Sequence, residues 1–163
     1  MRYSALYKND VVNGEGVRVT LFVSGCDHQC RGCYNKSTWN PDNGNDFTIE
    51  TIEEILESLK PDHISGLTLT GGDPLYTGNI SEILRLTSLI RYAFGNTKNI
   101  WMWTGYTLDE LNDFEDRNNY LRRRILQNVD VLIDGKFVEE LKDPSLAWRG
   151  SSNQIIHRLT NKV

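Results

Sequence analysis

The chain has 163 residues, of which 39% are apolar and 25% charged, with a net charge of −4 and a pI near 5.4. That composition fits one ordinary globular domain covering 1–163 with a core of its own. It excludes the basic footprint of a nucleic-acid binder, and no apolar run approaches the ~20 residues of a membrane span.

The N-terminal stretch Met1-Arg2-Tyr3-Ser4-Ala5-Leu6 carries no signal-peptide core. Together with free cysteines this implies a reducing, cytoplasmic setting. The first strand is expected over about 17 to 24, on Val17-Arg18-Val19-Thr20-Leu21-Phe22-Val23, and it runs into Cys26. A polar loop over 40–46 leads to a helix at about 50 to 60, where Ile52, Ile55, Leu56 and Leu59 recur at helical spacing and Pro61 stops the run. A second strand over 66–70 ends in Gly71-Gly72-Asp73-Pro74. A helix follows over about 80 to 94, with Ile83, Leu86, Ile90 and Ala93 on its buried face, then a third strand over 99–103. A short helix from Thr107 to Phe114, capped by Thr107, a helix at about 118 to 128 and a strand over 129–133 complete four βα-type units. Alternating strands and helices indicate an α/β fold with a mostly parallel sheet. The basic run Arg122-Arg123-Arg124 reads as a solvated helix face, and Trp101, Trp103 and Tyr106 as packing residues.

The chemistry concentrates at the ends of strands, where open α/β sheets place their ligands. Cys26, Cys30 and Cys33 are the only cysteines, in C-x3-C-x2-C spacing. An odd count does not suit a disulfide framework. Three thiolates can hold a four-iron cluster and leave one iron open to a ligand, whereas ordinary ferredoxin clusters take four cysteines. Zinc remains an alternative, because Cys3His is a known closed site and His28, His63 and His157 are available. Gly71 and Gly72 permit positive φ and leave no Cβ in the way of a ligand; a tight turn before a helix is the plainer reading of the same residues. Arg149-Gly150-Ser151-Ser152-Asn153-Gln154 is either a terminal loop or a contact to a ligand or partner.

The cysteine loop with Tyr34 beside its last cysteine, followed by the Gly71-Gly72-Asp73-Pro74 turn, resembles the radical S-adenosylmethionine (SAM) enzymes. Asn13-Gly14-Glu15-Gly16, Phe22 to Cys26, Cys33 to Trp39, Trp101 to Thr107 and Trp148 to Gln154 narrow the resemblance. They are similar to segments of the glycyl-radical activases that serve anaerobic ribonucleoside-triphosphate reductase. This resemblance implies a partial, open radical-SAM-type βα barrel and a [4Fe-4S] cluster on Cys26, Cys30 and Cys33. It also implies SAM bound along Gly32, Cys33, Tyr34, Gly71 and Gly72, with Tyr34 near the adenine and the two glycines facing the methionine moiety. A side chain at Gly72 would then intrude on SAM and meet a positive-φ backbone. Asp73 is one methylene shorter than the glutamate usual in the superfamily and is given no ligand contact. Glu15 stands where proline is common and adds an exposed charge.

The implied reaction cleaves SAM reductively and moves a hydrogen from a glycine of the reductase large subunit. Electrons would come from an external low-potential donor such as flavodoxin, at cluster potentials that reach about −700 mV at the low end. A radical SAM enzyme acting on a small molecule and a zinc-stabilised binding module are the competing readings.

Overall fold

In the computed structural model, which describes residues 1–159, the chain forms a seven-stranded sheet. Its strands are β1 (Arg2–Asp10), β2 (Val17–Val23), β3 (Asn45–Asp46), β4 (Ile64–Gly71), β5 (Asn99–Trp103), β6 (Val131–Asp134) and β7 (Ile155–Arg158), in the order β3-β1-β2-β4-β5-β6-β7. The four central strands β2, β4, β5 and β6 run parallel. These are the four strands the sequence marks. β1 and β3 on one side and β7 on the other pair antiparallel, so the sheet is mixed and its two edges do not close.

The helices are α1 (Ile49–Leu59), α2 (Ile80–Phe94), α3 (Leu108–Leu111) and α4 (Asn118–Leu126). Thr48 caps α1 by accepting from Thr51 N, and Thr107 caps α3 by accepting from Glu110 N, with Glu110 reaching back to Thr107 N. Strand alternation sorts the core into two layers. Val19, Leu21, Leu67, Leu69, Ile100, Met102 and Leu132 point to one face and meet Ile52 and Ile55 of α1, Ile83, Leu86 and Ile90 of α2 and Ile125 of α4. The opposite face carries Trp101, Val131 and Ile133, packed against Trp103, Trp148 and Ile156. Trp101 is fully enclosed, edge-on to Trp148 at 5.0 Å, as expected of a packing residue.

Two strands lie outside the sequence expectations, and one expectation needs correction. The long strand β1 was not foreseen, because its side chains are half-buried or exposed and two register irregularities against β2 erase the alternation. β7 was likewise missed. Arg122 is not on a solvated face: it is buried, and its guanidinium donates to Leu75 O, Asp116 Oδ2, Asn119 Oδ1, Thr77 Oγ1 and Tyr106 Oη. Arg124 is exposed, as expected, and Arg123 lies over the Phe114 ring. Glu15 is exposed and ion-paired to Arg158 at 2.8 Å. Among the described residues no helix is long and apolar enough to cross a membrane.

Candidate functional site

The carboxyl ends of all four parallel strands open into one cleft. After β2 come Cys26, His28, Cys30, Cys33, Tyr34 and Asn35; after β4, Gly71, Gly72 and Asp73; after β5, Thr104 and Gly105; after β6, Gly135, Lys136 and Phe137. Gly150 and Gln154 form the far wall. The three cysteines, Tyr34 and both turn glycines are thus brought together, whereas Gly32 is packed against the Glu139 carboxyl group.

The cysteine loop is stapled to the glycine turn through the backbone. Gly72 N donates to Val23 O at 2.7 Å, Asp73 N to Gly25 O at 2.8 Å and Gly25 N to Thr38 O at 2.7 Å. Asn79 Nδ2, from the start of α2, adds bonds to Ser24 O and Asp73 O. This closeness explains the glycines. Gly71 has φ +102°, and a Cβ there would stand 2.7 Å from Val23 N and O. At Gly72 φ is not in the left-handed region, and a Cβ would meet Gly25 O at 2.6 Å and Thr38 O at 2.8 Å. The expectation that a Gly72 side chain would project toward a ligand from a positive-φ backbone is therefore corrected. Its missing Cβ makes room for the neighbouring backbone; the positive φ belongs to Gly71.

The three thiols are free, and backbone N–H groups approach all of them. Burial pushes Cys26 up to about 11, opposed by the His28 N–H. Burial also raises Cys30, opposed by the Phe137 N–H and, more weakly, by the Lys136 charge. Cys33 Sγ accepts from Asn35 N at 3.4 Å. Such sites favour neutral thiols until a cation is present, and a coordinating metal deprotonates a thiol outright. N–H donors aimed at the sulfurs also tune a cluster's potential.

The donor set separates iron–sulfur from zinc. A closed zinc site needs a fourth ligand beside the three cysteines, for which the histidines are the candidates. His28 Nε2 is engaged by Asp73 Oδ2 at 2.6 Å, His157 lies by Asp134 on β7, and His63 is exposed. Three cysteines lining one cleft, with His28 engaged by Asp73 and His157 and His63 elsewhere, suit an iron–sulfur cluster better than a closed Cys3His zinc site.

Asp73 is 1% exposed, and its carboxylate accepts from Leu75 N, Thr104 Oγ1, Gly105 N and His28. Tyr34 is 77% exposed at the rim, beside Phe137 and under Lys142 Nζ. Trp103 lines the cleft while its Nε1 donates to Trp148 O. The 149–154 segment is a buckle that ties the far wall down. Gln154 Oε1 accepts from Gly150 N and Ser151 N, Gln154 Nε2 donates to Gly135 O, and Asn153 Nδ2 donates to Lys136 O.

Sequence reasoning did not single out Thr104, Gly105, Gly135, Lys136 and Phe137 as site residues, and weighed His28 only as a zinc ligand. The signal was available, since each of these five follows a parallel strand at its carboxyl end, where the cysteines and glycines also lie.

Comparison with known proteins supports an iron–sulfur cluster domain. Residues 12–157 match the family described as a 4Fe-4S single cluster domain. The chain is 49% identical over 162 residues to the anaerobic ribonucleoside-triphosphate reductase-activating protein of Vibrio cholerae, covering 98% of this chain and 99% of that one. Identity to the protein of the same name from Escherichia coli K12 is 50% over 161 residues, with 98% and 99% covered. The counterpart in Enterobacteria phage T4 is 47% identical over 163 residues, with 100% and 97% covered. A cleft of three unpaired cysteines beside a glycine turn, and near-half identity along the whole chain, have one reading: the chain belongs to the family of anaerobic ribonucleoside-triphosphate reductase-activating proteins, which carry a 4Fe-4S cluster domain.

Proposed function

We propose that the chain is a radical SAM activase that places a glycyl radical on the large subunit of an anaerobic ribonucleoside-triphosphate reductase. The observation that carries this reading is the convergence of Cys26, Cys30 and Cys33 with Gly71 and Gly72 on one cleft, in a family whose named members activate that reductase. Cys26, Cys30 and Cys33 would hold the [4Fe-4S] cluster, leaving one iron without a protein ligand. Cys33, Tyr34, Gly71 and Gly72 line the space for SAM next to it, and Gly32, outside that lining, lies against Glu139. Bound there, the two cofactors would supply reductive cleavage of the sulfonium and, from it, the radical chemistry needed to remove a hydrogen from the reductase glycine.

The protein's own contribution is orientation and shielding. Backbone donors at His28, Phe137 and Asn35 face the sulfurs, and the Gly71 carbonyl, already touched by Asn35 Nδ2 at 3.5 Å, offers an acceptor to an ammonium group. We read the open sheet as the partial barrel of this superfamily. Its unclosed side gives the partner's glycine access, because abstraction needs reacting atoms about 3–3.5 Å apart. The 163 residues would act as one domain, in the cytoplasm, fed by a low-potential donor such as flavodoxin.

The test is anaerobic. Protein, SAM, reductant and reductase are mixed and an electron paramagnetic resonance spectrum is recorded. The expected result is a glycyl doublet on the reductase that narrows when its glycine is deuterated at Cα, with deuterium recovered in 5′-deoxyadenosine. A full radical yield with no deuterium transfer would overturn direct abstraction by this protein.

A further inference from the structure

The Cys26–Cys30 arm of the cysteine loop contains one side chain that reaches into the body of the protein. His28 is largely enclosed, edge-on to the Tyr106 ring at 4.6 Å, with its Nε2 2.6 Å from Asp73 Oδ2. A carboxylate oxygen accepts, so Nε2 is the donor. The same carboxylate is filled from three other sides by Leu75 N at 2.8 Å, Thr104 Oγ1 at 2.9 Å and Gly105 N at 3.0 Å. These donors come from the turn after β4 and from the end of β5. Gly105 is the ring's seat: a Cβ there would stand 2.3 Å from His28 Cδ2. Tyr106, against which the ring rests, is itself held by Arg122 through its hydroxyl at 3.0 Å.

A buried carboxylate with this many donors does not move, and a histidine keyed to it fixes the chain on either side. The length of the acid matters too. A glutamate would carry its oxygens one methylene farther, into the space the imidazole occupies.

We infer that His28, keyed to Asp73, is a positioning residue that registers the Cys26–Cys30 arm against the glycine turn and so sets where the cluster stands relative to the methionine end of SAM. This rests on the function proposed above and extends it to residues outside the ligand set. It implies that cluster assembly and cluster–SAM alignment are separable: the thiols decide the first, and the His28–Asp73 bond contributes to the second.

The experiment uses the full-length protein, reconstituted anaerobically with iron and sulfide, in wild-type, His28→Ala, His28→Asn and His28→Gln forms. Iron content, thermal midpoint and the paramagnetic spectrum of the reduced cluster are measured across a SAM titration. Gln places its amide nitrogen as many bonds from Cβ as the imidazole Nε2 and can donate to Asp73; Asn cannot reach. A hydrogen bond to a charged group corresponds to roughly tenfold or more in an equilibrium constant. The Ala and Asn forms should therefore keep wild-type iron yet need about tenfold more SAM to shift the cluster spectrum, and Gln should restore the wild-type titration. Ala or Asn forms with wild-type SAM response would overturn the inference. So would a Gln form that loses iron, or one that is as impaired as Ala while fully loaded. If the wild-type cluster itself ignores SAM, the proposed function fails and this inference with it; failure of the variant pattern alone leaves that function standing.

Discussion

The two turn glycines and a third glycine at the end of α2 make a graded test of how the cysteine loop is held. Gly95 has φ +56° and ψ −125°, and open space where a Cβ would go, so Ala there meets backbone strain alone, about 1–3 kcal/mol. Gly72 is the reverse. Its φ is not left-handed, but a Cβ would press on two backbone oxygens, Gly25 O at 2.6 Å and Thr38 O at 2.8 Å. Neither can swing aside as a flexible side chain would, because Gly25 O already accepts from Asp73 N and Thr38 O from Gly25 N. Forcing one methyl group into such a place costs about 1–3 kcal/mol. Gly71 combines both faults, with φ +102° and contacts of 2.7 Å to Val23 N and O, for about 2–5 kcal/mol. At about 2–4 °C per kcal/mol for a chain of this size, thermal midpoints of the cluster-free, reduced protein should fall by roughly 2–12 °C for Gly95→Ala and for Gly72→Ala, and by roughly 4–20 °C for Gly71→Ala. Iron uptake separates the last two from the first. Gly71→Ala and Gly72→Ala should take up less iron, since the displaced atoms lie at the end of β2, from which the cysteine loop departs, and in that loop itself, whereas Gly95→Ala should load normally. A Gly72→Ala protein with wild-type midpoint and iron but weakened SAM binding would refute this reasoning and show that a side chain there enters the SAM space instead of pressing on the backbone.

Two further outcomes are expected. Cys30→Ser should leave the fold intact by circular dichroism but give a protein that stays colourless after anaerobic reconstitution; a brown product with full iron would remove Cys30 from the ligand set. Arg122→Met should lower the thermal midpoint by roughly 5–15 °C, from about 2–4 kcal/mol of lost charge-assisted bonds, and Arg122→Lys should not rescue it because one ammonium cannot serve acceptors spread around a planar fork. A midpoint within about 2 °C of wild type would show that water replaces the guanidinium there.

The physics that made some elements legible explains why others were not. α1, β4 and α2 declare themselves because one face of each is apolar at the period of its own geometry, and β5 because it is a short run apolar on both faces. Arg122 misled because three arginines in a row look solvated. Yet Arg122 lies three residues before Ile125, on the same helical face, and Ile125 is buried; position along the helix outweighed residue type. β1 gave no signal because a strand with two register irregularities and half-buried or exposed side chains presents no continuous buried face.

The site divides along a similar line. Cysteine and glycine are visible in a sequence because few other residues can replace a thiolate or an absent Cβ. Asp73 was visible too, but its role was not, since whether a carboxylate faces a ligand or the protein depends on what the neighbouring strand delivers. Here β5 delivers Thr104 Oγ1 and Gly105 N, and the carboxylate is used internally. Phe137 is the limiting case. Its contribution to Cys30 is a backbone N–H, a group that every residue except proline carries, so no side-chain pattern could have marked it. Only the strand order places it, because β6 is the fourth parallel strand and its carboxyl end returns to the cleft that β2 and β4 begin. The residues that bind can be read from their chemistry; the residues that aim them have to be read from topology.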